Sequence, residues 1–120
     1  MTKYDISKRT MEFAVRSARL LNKIPRCQAA IEYGKQLIRS SSSVGANIEE
    51  ADGTLSKKDF VCKMAIARRE ARESRYWLQL INKAGLINDS SLKIELTWLQ
   101  QEAHEILLIL SSIINKVRNK

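Results

Sequence analysis

The 120-residue chain has only four glycines and one proline, Pro25. So few turn-forming residues exclude a strand-rich, tightly turning fold and point to long helices. Its longest apolar run is Ile106–Leu110, far short of the ~20 residues that span a bilayer as a helix. No apolar segment with a small-residue cleavage site follows Lys3, so the expected location is the cytoplasm, with no membrane partner. The two cysteines, Cys27 and Cys62, lack metal-ligand spacing, and a lone disulfide would be unusual in a cytosolic helical protein. Both are expected to be buried small hydrophobes. Acidic residues are also scarce: 13 against 21 lysines and arginines, a net charge of +8. This excess favours contact with phosphate or another acidic surface.

What is present suits one globular domain over residues 1–120: 44% hydrophobic and 28% charged residues can build a single core. Four helices account for the apolar spacing. The first runs from about Asp5 or Ser7 to Lys23, with Ile6, Thr10, Phe13, Ser17, Leu20 and Ile24 recurring at steps of four and three. Met11, Ala14, Ala18 and Leu21 widen that stripe, and Pro25 stops it. The second, from about Cys27 to Ala51, carries Ala30, Tyr33, Leu37, Ser40, Val44, Asn47 and Ala51. A neighbouring stripe holds Ile31, Gly34, Ile38, Ser41, Gly45 and Ile48. Because both stripes keep heptad spacing, Ser40–Ser43 reads as helix that lets a partner approach closely, with a flexible loop as the alternative.

Asp52-Gly53 ends the second helix, and Ser56 with Asp59 resembles a capping box that restarts the chain. The third helix has the seam Phe60, Met64, Ala67, Ala71, Ser74, Leu78 and Ile81, and stops at Gly85. Asn88-Asp89-Ser90-Ser91 caps the fourth, whose seam is Leu92, Leu96, Leu99, Ala103, Ile106, Leu110, Ile113 and Val117. Short connections make neighbours antiparallel. The expected fold class is all-α, an antiparallel up-down-up-down four-helix bundle.

Two helices carry more apolar residues than one seam requires. Counting ~100° per residue, Ile66, Trp77 and Leu80 lie roughly opposite the Ala71 seam, and Ile94, Trp98, Leu108 and Ile109 fall in the same outward sector around Ala103. With Tyr76, these eight residues are the candidate oligomer interface, since Trp and Tyr are favoured anchors there. A wider core with scattered exposed tryptophans is the alternative.

Charge is sorted by helix. Arg9, Arg16 and Lys23 repeat every seven residues on the first helix with Arg19 beside them, and Arg68, Arg72 and Arg75 form a row on the third. These seven are the candidate nucleic-acid contacts. The fourth helix instead carries Glu95, Glu102 and Glu105, so pairing of basic against acidic helix, or of Arg69 with Glu73, is the competing reading. With no base-reading motif, binding would be backbone-directed and salt-dependent.

Enzyme patterns do not fit. His104 is the single histidine, which excludes the paired Glu-x-x-His units of di-iron bundles. Thr97, Trp98 and Leu99 stand where an Arg-x4–6-His ribonuclease would need arginine. Glu70-x-x-Glu73 and Glu102-x-x-Glu105 echo Mg²⁺-holding carboxylate pairs, but Glu73, Glu102 and Glu105 fall outside the apolar seams, where solvated or paired carboxylates are ordinary. No enzyme activity, metal or cofactor is expected.

The run Ser43-Val44-Gly45-Ala46-Asn47-Ile48-Glu49-Glu50-Ala51 continues into Ser56-Lys57-Lys58-Asp59-Phe60. With Glu70-Ala71-Arg72-Glu73, Tyr76-Trp77-Leu78 and Ala84-Gly85-Leu86-Ile87, it resembles the 23S rRNA intervening-sequence protein family of small bacterial four-helix bundles. The wider family often has Pro at position 45 and Gly at position 51, so the chain is similar to its Gly-Ala-Asn-Ile branch. The resemblance implies a ring-forming homo-oligomer, typically a pentamer, and no catalytic residues. A similar bundle is the basic accessory subunit of diversity-generating reverse transcriptases, which makes RNA or a reverse transcriptase the implied partner. On its own residues, Asn47 is expected to be buried and hydrogen-bonded. Glu50 is expected to pair with Lys57, Lys58 or a neighbouring subunit. Together with Ser56 and Asp59 they would fix the junction between the second and third helices. The expected function is a non-enzymatic RNA-binding oligomer, with a purely structural or protein-interaction oligomer as the alternative.

Overall fold

The computed structural model describes residues 3–119, with side chains from residue 6 onward. Four helices follow in order: α1 (Lys3–Lys23), α2 (Gln28–Asp52), α3 (Lys57–Lys83) and α4 (Ser90–Arg118). Each packs on its chain neighbours and α4 closes on α1, while the backbones of diagonal helices stay farther apart among the described residues. This is the four-cornered arrangement that short antiparallel connections produce. The longest extent is 47 Å, close to the ~44 Å that α4's 29 residues span at 1.5 Å each.

Helix ends follow local chemistry. The Ser56 hydroxyl accepts from the Asp59 amide at 3.0 Å, and the Asp89 carboxylate accepts from the Leu92 amide at 3.0 Å; each satisfies an amide the first turn leaves without a carbonyl. Beyond α3, Gly85 adopts φ +69°, a left-handed conformation that a side chain would resist. Its amide bonds the Asn82 carbonyl at 3.1 Å and the next amide, Leu86, reaches Ile81 at 3.4 Å, which closes α3 as a Schellman turn.

The core is the expected set of seams. Ile6, Thr10, Phe13, Ser17 and Leu20 of α1 are fully enclosed, as are Leu37 and Val44 of α2, Ala67, Ala71 and Leu78 of α3, and Leu99, Ala103, Ile106 and Leu110 of α4. Ser40–Ser43 is helical, and the reason is visible in the packing. The Ser40 and Ser74 hydroxyls hydrogen-bond at 2.8 Å across α2 and α3. A Cβ on Gly34 would stand 3.3 Å from Leu21 Cδ2 and one on Gly45 would stand 3.2 Å from Thr10 Oγ1, so α1 rides close on α2.

Several expectations need correction. Cys27 and Cys62 are both exposed: Cys27 is the residue before α2, and Cys62 falls on the outer side of α3, about 180° from Ala71. Met11 does not widen the α1 stripe; it is 65% exposed. The buried residue near the end of α4 is Ile114, with Ile113 half-buried, because the seam drifts over four heptads of a 3.6-residue helix. Among the described residues, no helix is long and apolar enough to cross a membrane.

Candidate nucleic-acid interface

Heptad geometry puts basic residues of α1 directly opposite acidic residues of antiparallel α4. Arg9 forks onto Glu102, with Nε 2.9 Å from Oε2 and Nη2 2.6 Å from Oε1. One heptad along, Arg16 makes the same fork with Glu95 at 2.8 and 2.5 Å. Arg16 also lies 3.4 Å from the centre of the Trp98 ring and within 3.7 Å of Glu12. Hydrogen bonding to the carboxylates raises both guanidinium pKa values, against the opposing effect of burial. The Arg16 hydrogen bond holds the Glu95 carboxyl below its ordinary value. Glu102 is therefore buried and paired with Arg9, the contact of basic against acidic helix that competes with phosphate binding.

The α2–α3 seam is neutralised similarly. Arg39 bonds Glu70 at 2.8 Å and also Glu73, whose carboxylate accepts from the Trp77 indole N–H at 2.9 Å. Glu73 thus pairs with Arg39 instead of Arg69. Glu70 is buried, and Tyr33 and Tyr76 pack on Trp77 with ring centres 6.1 and 5.3 Å away.

Arg68, Arg72 and Arg75 stand apart from both seams. Counting ~100° per residue, they occupy the side of α3 nearer α4, as the Arg75–His104 contact at 3.2 Å confirms. None has an ion-pair partner among the described residues. The carboxylates of the two helices are turned elsewhere: Glu70 and Glu73 toward α2, Glu95 and Glu102 toward α1. Glu105 accepts from Gln101 at 3.1 Å on α4 itself. Arg19 and Lys23 also lack an ion pair among the described residues, but they border a groove between α1 and α4 that contains Glu12 and Glu95. Of the seven candidate cations, two are consumed, two border acidic groups and three share a carboxylate-free face.

Such a row can hold phosphate oxygens in bidentate fashion, and it spans about 10 Å of helix. No metal-ligand cluster of three or more His, Cys, Asp or Glu occurs among the described residues.

The candidate oligomer residues divide. Tyr76, Ile94 and Leu108 are exposed, Ile94 by 73%. Ile66 and Leu80 are half-buried, while Trp77, Trp98 and Ile109 lean onto the core flanks. The tryptophans are thus not outward: Tyr33 covers one and Arg16 the other. Sequence reasoning missed a second exposed group, Met11, Val15, Ile31 and Ile38 on α1 and α2. The heptad step from Ile31 to Ile38 on the flank of α2 was its signal.

At the α2–α3 junction, Asn47 is half-buried and its amide donates to the Ser43 carbonyl at 2.8 Å, so it braces its own helix. Ser56 caps α3 through the Asp59 amide. Glu50 is exposed and makes no ion pair with Lys57 or Lys58 among the described residues; its backbone carbonyl receives the Gly53 amide at 3.1 Å.

The sequence profile of the family described as "23S rRNA-intervening sequence protein" matches residues 2–112. Among solved structures, the chain is similar to a protein of unknown function from the S23 ribosomal protein family of Bacteroides thetaiotaomicron. The two share 34% identity and a TM-score of 0.82 over 96% of this chain and 99% of that one. No curated protein matches. The chain belongs to the 23S rRNA-intervening sequence protein family.

Proposed function

We propose that this family member is a non-enzymatic, ring-forming homo-oligomer of the cytoplasm that holds RNA, or an RNA–protein complex, by its phosphates on the α3–α4 face. The observation that carries the reading is the unequal use of arginine. Arg9, Arg16 and Arg39 are bonded to carboxylates, whereas Arg68, Arg72 and Arg75 have no ion-pair partner among the described residues. A row of like charge costs some helix stability, and a polyanion offsets that cost. Recognition would be of backbone, with affinity falling steeply in salt.

Two separated apolar groups support the ring. Ile31 and Ile38 line the groove between α1 and α2, and Tyr76, Ile94 and Leu108 are exposed on α3 and α4. Two different patches suit head-to-tail contacts, which close into rings, better than a two-fold dimer. Five members is the ring size the family resemblance implies.

Mobility shifts with a structured RNA test the first part. Binding at low salt is expected from the native protein and not from the Arg68→Glu/Arg72→Glu/Arg75→Glu variant; equal binding by both would reject the assignment. Light scattering tests the second, with a mass several times 13.7 kDa expected. Ile38→Glu and Ile94→Glu should each break the ring, and mixing them should restore one contact and yield dimers. An oligomer without RNA affinity at low salt would leave the purely structural reading standing.

A further inference from the structure

Arg75 and His104 meet across α3 and α4, with Arg75 Nη1 3.2 Å from His104 Nδ1. A guanidinium can only donate, so Nδ1 is the acceptor and the ring proton sits on Nε2. His104 is exposed and its partner on α3 is Arg75, while the α3 carboxylates Glu70 and Glu73 bond Arg39 of α2. On its own helix it is flanked by Gln100, Gln101, Glu105 and Leu108, and Glu105 is occupied by Gln101. A half-buried arginine whose partner is an exposed histidine, and which has no ion pair among the described residues, forms a contact that an anion can open at little cost.

We infer that His104 is the proton-accepting member of the phosphate site, closing with Arg75 on one phosphodiester. This rests on reading the α3–α4 face as the RNA surface. In the free protein the neutral imidazole holds Arg75 by accepting its N–H. When a phosphate oxygen arrives, Arg75 donates to it instead and Nδ1 is released. His104 then takes a proton from solvent, and the imidazolium adds a second charged donor to the same anion. No bond other than N–H is made, and no other co-reactant is required. RNA binding and proton uptake are therefore linked, each favouring the other. Imidazole is the side chain whose charge changes between pH 5 and 8, and His104 is the chain's single histidine. The linkage consequently has one side-chain origin in that range.

The test is fluorescence anisotropy with a labelled RNA hairpin at fixed ionic strength, at pH 6 and pH 8, on the native protein and His104→Gln. Glutamine keeps an acceptor for Arg75 and cannot take the proton. The native protein should bind about 5-fold or more tightly at pH 6 than at pH 8. His104→Gln should match it at pH 8 and gain nothing at pH 6. A native affinity that does not change with pH, or an equal gain in His104→Gln, overturns the role of His104 while leaving the RNA surface intact. Absence of RNA binding by the native protein at both pH values overturns the surface itself, and this inference with it.

Discussion

The Arg9 guanidinium and the Glu102 carboxylate form a two-point fork across α1 and α4, with Nε and Nη2 each on a different carboxylate oxygen. Glu102 is buried in that contact, so the pair belongs to the bundle and not to a ligand. Glu102→Gln should cost about 1.5–3 kcal/mol, the range for a hydrogen bond to a charged group. Urea denaturation gives the value. A double-mutant cycle with Arg9→Met should show positive coupling, and additive losses would mean that the fork contributes nothing.

One heptad away, the Arg16 hydrogen bond holds Glu95 below its ordinary carboxyl pKa. A carboxylate depressed in the folded state adds stability above its unfolded pKa of about 4.3, and that stability is lost as pH falls through the lower folded value. In this window the unfolded chain binds more protons, so unfolding free energy rises with pH. Glu95→Gln should flatten the acid limb of the stability profile and leave the limb above pH 6 parallel to the native one. Chemical denaturation from pH 2.5 to 8 measures both slopes.

Much of this architecture is legible in residue spacing. Seam positions, the helical serines, the Ser56 and Asp89 caps and the Gly85 stop all follow from contacts within a few residues of one another. The α1–α4 ladder joins residues 93 and 79 positions apart, and which arginine meets which glutamate depends on how far the helices slide. Its signal was an equal seven-residue step, Arg9 to Arg16 and Glu95 to Glu102. Trp77 and Trp98 were misjudged because helix angle locates Cα and not the end of a long side chain. The indole of Trp77 reaches back to Glu73, and Trp98 lies beneath Arg16. His104 gained meaning only through Arg75, 29 positions away.

Gly34 and Gly45 should respond differently to alanine. At Gly34 the new Cβ would meet the end of the flexible, half-buried Leu21 at 3.3 Å, and helix propensity should prevail, raising stability by up to about 1 kcal/mol. At Gly45 it would meet Thr10 Oγ1 at 3.2 Å. Thr10 is enclosed and bonded to the Ile6 carbonyl at 2.9 Å, so it cannot yield and a loss of about 1 kcal/mol is expected. Urea midpoints of the two variants should move in opposite directions.

The Ser17 hydroxyl is buried with no hydrogen-bond partner. Leaving a polar group in that state costs about 1–3 kcal/mol, and alanine removes it without adding volume. Ser17→Ala should therefore raise the thermal midpoint, as a calorimetric scan would record. A lower midpoint would mean that the hydroxyl has a partner in solution.

The central claim is that phosphate is held by Arg68, Arg72 and Arg75, which have no ion-pair partner among the described residues. Its most direct test is the salt dependence of RNA affinity for the native protein and for Arg68→Gln/Arg72→Gln/Arg75→Gln. Each phosphate contact contributes about 0.7–0.9 to the slope of log K against log salt. The variant's slope should therefore be shallower by about 2–3 for each protomer engaged. A variant with the native slope and affinity would contradict the account.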